Sequence, residues 1–201
     1  NAYGWGNNEL QFYTASCKAN TWVNGKHLYI NAIKEEIQGF NYTSSRLTTK
    51  EKGDWLYGKI EIRAKVPEGI GLWSAIWLFP TDSEYGIWPK SGNIDIMEYV
   101  GYNPDSIFST LHTASYNHGI NTQITKGKYL PDCKNEFHIY SIEWFDSHID
   151  FFVDGEKFFT FNNSFKNSDE WPFNKKFHLI MNLTIGGNWG GKMGVEDRKS
   201  V

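Results

Sequence analysis

The residues best suited to chemistry lie in SGNIDIMEYVG, 91–101, where Asn93, Asp95 and Glu98 stand in one apolar run. Read as a strand, period two puts Asn93, Asp95 and Met97 on one face and Ile94, Ile96 and Glu98 on the other. One inserted residue near Ile96-Met97, a β-bulge, brings Glu98 round to join Asn93 and Asp95, and bulges commonly re-aim a side chain beside an active site. Such a set points to glycoside hydrolysis. That chemistry needs one carboxylic acid to protonate the leaving oxygen and a second carboxylate to attack or to activate water. A third acid between the two holds one partner's proton in place, because close like charges do not all ionise. The plainer alternative makes Asp95 and Glu98 solvated acids at a strand edge, and the octapeptide alone leaves both open.

The elements that must position these groups read as β throughout. Apolar alternation and β-branched runs recur between turn signals, and helical periodicity is nearly absent. The candidate strands are 27–36, 42–50, 57–66, 72–79, 93–100, 106–113, 136–144, 148–161 and 176–187. In YGKIEIRAKV, Ile60, Ile62, Ala64 and Val66 face one way and Lys59, Glu61, Arg63 and Lys65 the other, as in a half-solvated antiparallel strand. Asp154-Gly155 between the apolar arms of FFVDGEKFF is a two-residue hairpin signal. Short strands at close spacing, without interleaved helices, predict an all-β antiparallel β-sandwich or jelly roll forming a single domain.

Composition narrows the partners. The chain has 201 residues, of which 40% are apolar and 21% charged, with a net charge of −3 and its 20 Lys and Arg scattered. That argues against nucleic acid, which selects a basic face. No apolar run is long enough to span a membrane, and no basic start followed by an apolar stretch marks a signal peptide. Nine Trp, eleven Tyr and fourteen Phe give 17% aromatic residues, more than the core of such a chain needs. Flat aromatic faces stack on sugars or bases at low entropic cost, and without a basic patch sugar is the better reading. Cys17 and Cys133 permit one disulfide but match no metal spacing; free thiols are expected.

GNIDIMEYVG resembles the signature of the family-16 glycoside hydrolases, the laminarinase and lichenase group, in which Glu-x-Asp-x-x-Glu occupies a bulged strand. The resemblance runs along almost the whole chain: WGNNELQFYT (5–14), YTSSRLTTK (42–50), YGKIEIRAKVPEGIGLWSAIWLFP (57–80), WPKSGNIDIMEYVG (88–101), STLHT (109–113), FHIYSIEW (137–144), FFVDG (151–155) and NLTIGGNWGG (182–191). It implies a concanavalin-like jelly roll whose concave face is a cleft for a β-glucan chain, of laminarin type or mixed β-1,3-1,4 linkage. By position, Asn93 stands where the family has its nucleophilic glutamate, Asp95 matches the helper acid, Glu98 the general acid/base and His112 a histidine close to it. Asn7, Glu9, Arg46, Trp77, Trp88, Asn182 and Trp189 match positions that line the cleft or lie next to it.

Each of these has a plainer reading. Trp73 and Trp77 share a strand face; Trp73 is expected in the core and Trp77 either there or in the cleft. A lone strand arginine such as Arg46 is usually a solvated face, and only the resemblance lifts it. Trp189 sits among Gly186, Gly187, Gly190 and Gly191, which would let backbone approach a ligand or form an ordinary surface turn. His27, His118, His138, His148 and His178 receive no role.

Two departures from the family stand out. An amide at position 93 cannot form a glycosyl–enzyme ester and is one methylene shorter than glutamate, so the chain is expected to hydrolyse glucan very poorly. A non-catalytic glucan-binding module on the same fold is the alternative, and a transglycosylase would need the same missing nucleophile. The family's usual first and last strands are also expected to be lacking, together with the structural calcium they carry; no metal or organic cofactor is expected. The resemblance implies an extracellular or periplasmic location, and a monomer is expected, with no nucleic acid or membrane partner.

Overall fold

The computed structural model describes residues 6–196. Trp5 and the chain ends, where the missing terminal strands were expected, lie outside them. In chain order the first strands are β1 (Gln11–Tyr13), β2 (Thr21–Val23), β3 (Leu28–Ile30), β4 (Ile33–Ile37), β5 (Phe40–Ser44), β6 (Arg46–Thr48), β7 (Asp54–Trp55) and β8 (Gly58–Ala64). They are followed by β9 (Leu72–Pro80), β10 (Asn93–Val100), β11 (Ser106–His112), β12 (Ile124–Tyr129), β13 (His138–Trp144), β14 (His148–Val153), β15 (Glu156–Asn162) and β16 (Phe177–Ile185). One short 3-10 turn, His118–Ile120, lies between β11 and β12.

Two antiparallel sheets face each other. The larger runs β12-β11-β10-β9-β16-β6, with β7 also on β16; the smaller runs β15-β14-β13-β8. Side-chain parity explains why they stack. On β13, Tyr140, Ile142 and Trp144 point inward and are fully buried; on β14, Ile149, Phe151 and Val153 do the same. They meet Ile76, Leu78, Ile94, Met97, Ile107 and Leu111 from the larger sheet in one continuous core. β8 alternates as its sequence requires, with Ile60, Ile62 and Ala64 packed on the core and Lys59, Glu61 and Arg63 exposed. The turn between β14 and β15 is made by Asp154 and Gly155, both at positive φ (51° and 80°), as the Asp-Gly signal requires.

The structure refines several strand boundaries. The stretch 27–36 breaks into β3 and β4, and 42–50 into β5 and β6 around Ser45. β1, β2, β7 and β12 were not among the expected strands. β1 pairs parallel to β5 in a small side sheet with β4, the one parallel pairing in an otherwise antiparallel fold among the described residues. Cys17 and Cys133 are free thiols.

Candidate active site

β10 lies in the middle of the larger sheet, between β9 and β11, and every one of its residues is buried. Its register supplies the decisive geometry. Against β11, Asp95 faces Thr110 and Glu98 faces Phe108, so Ile96 and Met97 together oppose Ser109. Against β9, Asp95 faces Trp77 and Met97 faces Ile76, leaving Ile96 as the extra residue. Both Ile96 and Met97 pack into the core, and Glu98 returns to the face that carries Asn93 and Asp95. The expected bulge is present, at the expected pair.

Before the strand, Gly92 adopts φ +70°, and a Cβ there would lie 2.7 Å from Pro172 and 2.9 Å from the His112 carbonyl. Only glycine permits that approach, which sets the point where Asn93 enters the sheet.

Asn93, Asp95 and Glu98 line one cleft with Trp73, Trp77, Trp88, Arg46, Asn182, His112, Glu9 and Asn7, in a region of about 410 Å³. An adjoining region of about 460 Å³ shares Asn7, Trp73, Glu98, His112 and His118 and adds Phe108, Thr110, Thr125, Asn188 and Trp189. The eleven residues expected at the site are therefore all brought together. The chemistry-bearing atoms are closely wired. The Trp88 indole N–H donates to Asn93 Oδ1 at 2.8 Å, and Asn93 Nδ2 donates to Asp95 Oδ1 at 2.8 Å. The Trp73 indole N–H donates to Glu98 Oε1 at 3.2 Å.

Electrostatics follows from burial. Desolvation pushes the Glu98 carboxyl up to about 7, although hydrogen bonds from Thr110 and Trp73 pull the other way. Asp95 is also held well above the usual carboxylate range, first by desolvation and then by the charge of Glu98, with the Asn93 amide opposing. His112 Nε2 lies 3.5 Å from Asp95 Oδ2, close enough for an ion pair. Burial, with His118 beside it, lowers the imidazole to about 4, so near neutral pH His112 meets Asp95 as an uncharged ring. Its Nδ1 is buried without a hydrogen-bond partner.

The flank of the cleft is equally ordered. Trp77 Nε1 donates to Asn182 Oδ1 at 2.8 Å, and Asn182 Nδ2 donates to Tyr13 Oη at 3.3 Å and Thr184 Oγ1 at 3.1 Å. The Arg46 guanidinium lies 4.8 Å from the Trp77 ring centroid, so this strand arginine covers the cleft and not a solvated face. Glu9 accepts from Gln11 Nε2 at 2.7 Å; burial raises its carboxyl, and Gln11 and Arg46 oppose the rise.

Two expectations are corrected here. Trp73 is not a core residue. It shares the cleft face of β9 with Ala75, Trp77 and Phe79, while Ile76 and Leu78 take the core face. His118, given no role, lines both regions of the cleft with its ring 4.9 Å from Trp88 and 5.2 Å from His112. The glycines near Trp189 also serve the protein itself: a Cβ on Gly190 would lie 2.8 Å from Trp73 Cβ, so this turn closes under Trp73. Trp189 then meets Trp73 and Phe108 edge-on at 5.4 and 5.5 Å. Among the described residues no group of three or more His, Cys, Asp or Glu is placed to hold a metal ion.

Residues 7–199 match Glycosyl hydrolases family 16. The chain is similar to the beta-glucanase of Rhodothermus marinus, at 46% identity over 201 residues, covering 96% of this chain and 70% of that protein. Its fold is similar to the X-ray structure of the laminarinase from Rhodothermus marinus, with a TM-score of 0.94 and 44% identity, covering 97% of this chain and 80% of that one. It is similar, too, to a mutant of SCLam, a non-specific endo-beta-1,3(4)-glucanase co-crystallised with 1,3-beta-D-cellotriosyl-glucose. There the TM-score is 0.94 at 41% identity, covering 98% of this chain and 78% of that one.

Proposed function

Because the chain belongs to glycosyl hydrolase family 16, we propose that it binds β-1,3- or mixed β-1,3-1,4-glucan as an endo-glucanase scaffold whose reaction is arrested at position 93. The observation that carries this reading is the return of Glu98, through the bulge, to the cleft face that holds Asn93 and Asp95. A carboxyl raised to about 7 holds its proton near neutrality and can pass it to a leaving glycosidic oxygen. Asp95, between the two, is the helper that holds position 93 in place through the Asn93 amide. The Trp77, Trp88, Arg46 and Asn182 flank offers stacking faces and hydrogen-bonding groups to a sugar chain.

What the site lacks is the attacking carboxylate. An amide oxygen carries no charge to stabilise the oxocarbenium ion and forms no ester with the anomeric carbon. Losing one member of a catalytic unit lowers kcat by roughly 10⁴- to 10⁶-fold. The test is Asn93→Glu, with reducing ends assayed on laminarin and lichenan. Turnover in the variant, with little in the parent, is expected. A folded Asn93→Glu protein silent on both polymers would refute the glucanase reading. Asn93 also favours a second reading, a glucan-binding module that has dropped the chemistry. Calorimetry on the parent with laminari-oligosaccharides supports it if heat of binding appears without cleavage, and measurable cleavage by the parent excludes it.

A further inference from the structure

We propose that Ser109, which meets no sugar-facing group of the cleft, positions Glu98 by fixing the bulge of β10 from behind. The assignment of Glu98 as proton donor rests on the function proposed above; the geometry does not. Ser109 is the single residue of β11 opposite the two residues Ile96 and Met97. Its neighbours two positions away, Ile107 and Leu111, are fully buried core residues, and Ser109 is itself 0% exposed. A buried hydroxyl is stabilised by an acceptor, and most buried polar side chains have one. Ser109 Oγ donates to the carbonyl oxygen of Ile96, the inserted residue, at 2.7 Å.

The consequence reaches the cleft through the backbone. With the Ile96 carbonyl tied to β11, two successive side chains, Ile96 and Met97, are kept in the core, and the next residue must emerge on the opposite face. That residue is Glu98, which then meets the Trp73 indole N–H. Without the hydroxyl, the inserted carbonyl loses this partner in a dry environment, and the strand gains a reason to move. A shift of about 1 Å in a proton donor is enough to lower turnover by roughly 10²-fold.

The experiment compares the parent with Ser109→Ala and Ser109→Thr by NMR titration of labelled glutamate carboxyls and the tryptophan indole N–H signals, with Glu98→Gln as the assignment control. The groups facing Glu98 are Asp95 on its own strand, Trp73 on β9 and Thr110 on β11, so aspartate carboxyls and the threonine signals are labelled and followed as well. In Ser109→Ala the Glu98 midpoint is expected to shift away from its parent value, and the Trp73 signal to stop tracking it. Ser109→Thr, which keeps the hydroxyl, is expected to restore both. In the Asn93→Glu background, Ser109→Ala is expected to lower kcat about 10- to 100-fold with KM changed less than about twofold, because Ser109 is fully buried and does not line the cleft. Loss of stability alone, with the Glu98 titration and Trp73 coupling as in the parent, would overturn the proposal. If Ser109→Ala does not fold, Ser109→Cys keeps the size and weakens the donor, and the same readouts decide. The titration uses no sugar, so silence of Asn93→Glu on glucan would refute the functional reading while leaving this result to stand or fall by itself.

Discussion

Replacing Glu98 by glutamine isolates the electrostatic burden that the site places on the fold. Glu98 titrates at about 7 in the folded chain against an ordinary 4.5. Between those values the folded state holds a proton that the unfolded chain has released. Stability attached to this group is therefore fully present below about pH 4.5 and is lost as pH rises through about 7. At 1.36 kcal/mol for each pKa unit, the interval from 4.5 to about 7 corresponds to about 3 kcal/mol. Glutamine keeps the shape and can still accept from the Trp73 indole, but never ionises. Its removal of charge also relieves Asp95, whose carboxyl Glu98 helps to raise. Urea unfolding of Glu98→Gln and the parent should agree within error near pH 4.5. At pH 8 the variant should be more stable by about 3 kcal/mol. With a urea m-value of about 2 kcal/mol/M, that is a midpoint about 1.5 M higher. A difference that stays flat across this range, or that grows toward acid, would refute the burial argument for Glu98.

Trp73→Phe deletes the indole N–H that holds the Glu98 carboxylate at 3.2 Å while keeping an aromatic ring against Trp189. Since that bond lowers the Glu98 pKa, its loss should move the NMR midpoint above about 7; an unchanged or lower midpoint contradicts the assignment. Thiol titration should separate the two cysteines. Cys133 is fully buried, with its thiol pushed up to about 11 by desolvation, whereas Cys17 is half-buried. A thiol-specific chromophoric reagent should modify Cys17 in the native protein and both residues in denaturant; rapid native reaction at Cys133 would show that its environment opens.

How much of this was legible in the sequence differs by element, for physical reasons. The bulge could be read because a carboxylate three residues from another, in an otherwise apolar strand, has no dry place on the core face. The core positions of β8 and the Asp-Gly hairpin followed from period two and turn chemistry, which are local rules. The place of Trp73 is not legible because parity ties it to Trp77 without saying which of the two faces of β9 is dry. That is decided by β13 and β14, which are distant in sequence. β12 carries no strand signal because Lys126-Gly127-Lys128 breaks any apolar alternation. Its pairing depends on Gly127 lying against the Phe108 ring, and its lysines suit the sheet edge it occupies. His118 was not readable at all. It reaches the cleft on a loop held by Asn117, whose amide donates to the carbonyls of Thr113 and Ala114, and no pattern in the sequence marks that fold-back.

The wiring at Asn93 has a direction. An indole N–H can only give, so the atom facing Trp88 must be oxygen, and the amide nitrogen is thereby turned toward Asp95. The three residues form a one-way relay with a donor at its head and a carboxyl at its tail. A glutamate in the middle would bring two acceptors and no donor, and would reach Asp95 peacefully only by sharing a proton with it. The amide spares the site that negotiation: its relay keeps the same sense in acid and in base. A glutamate introduced there would make this corner of the cleft rearrange each time a proton came or went.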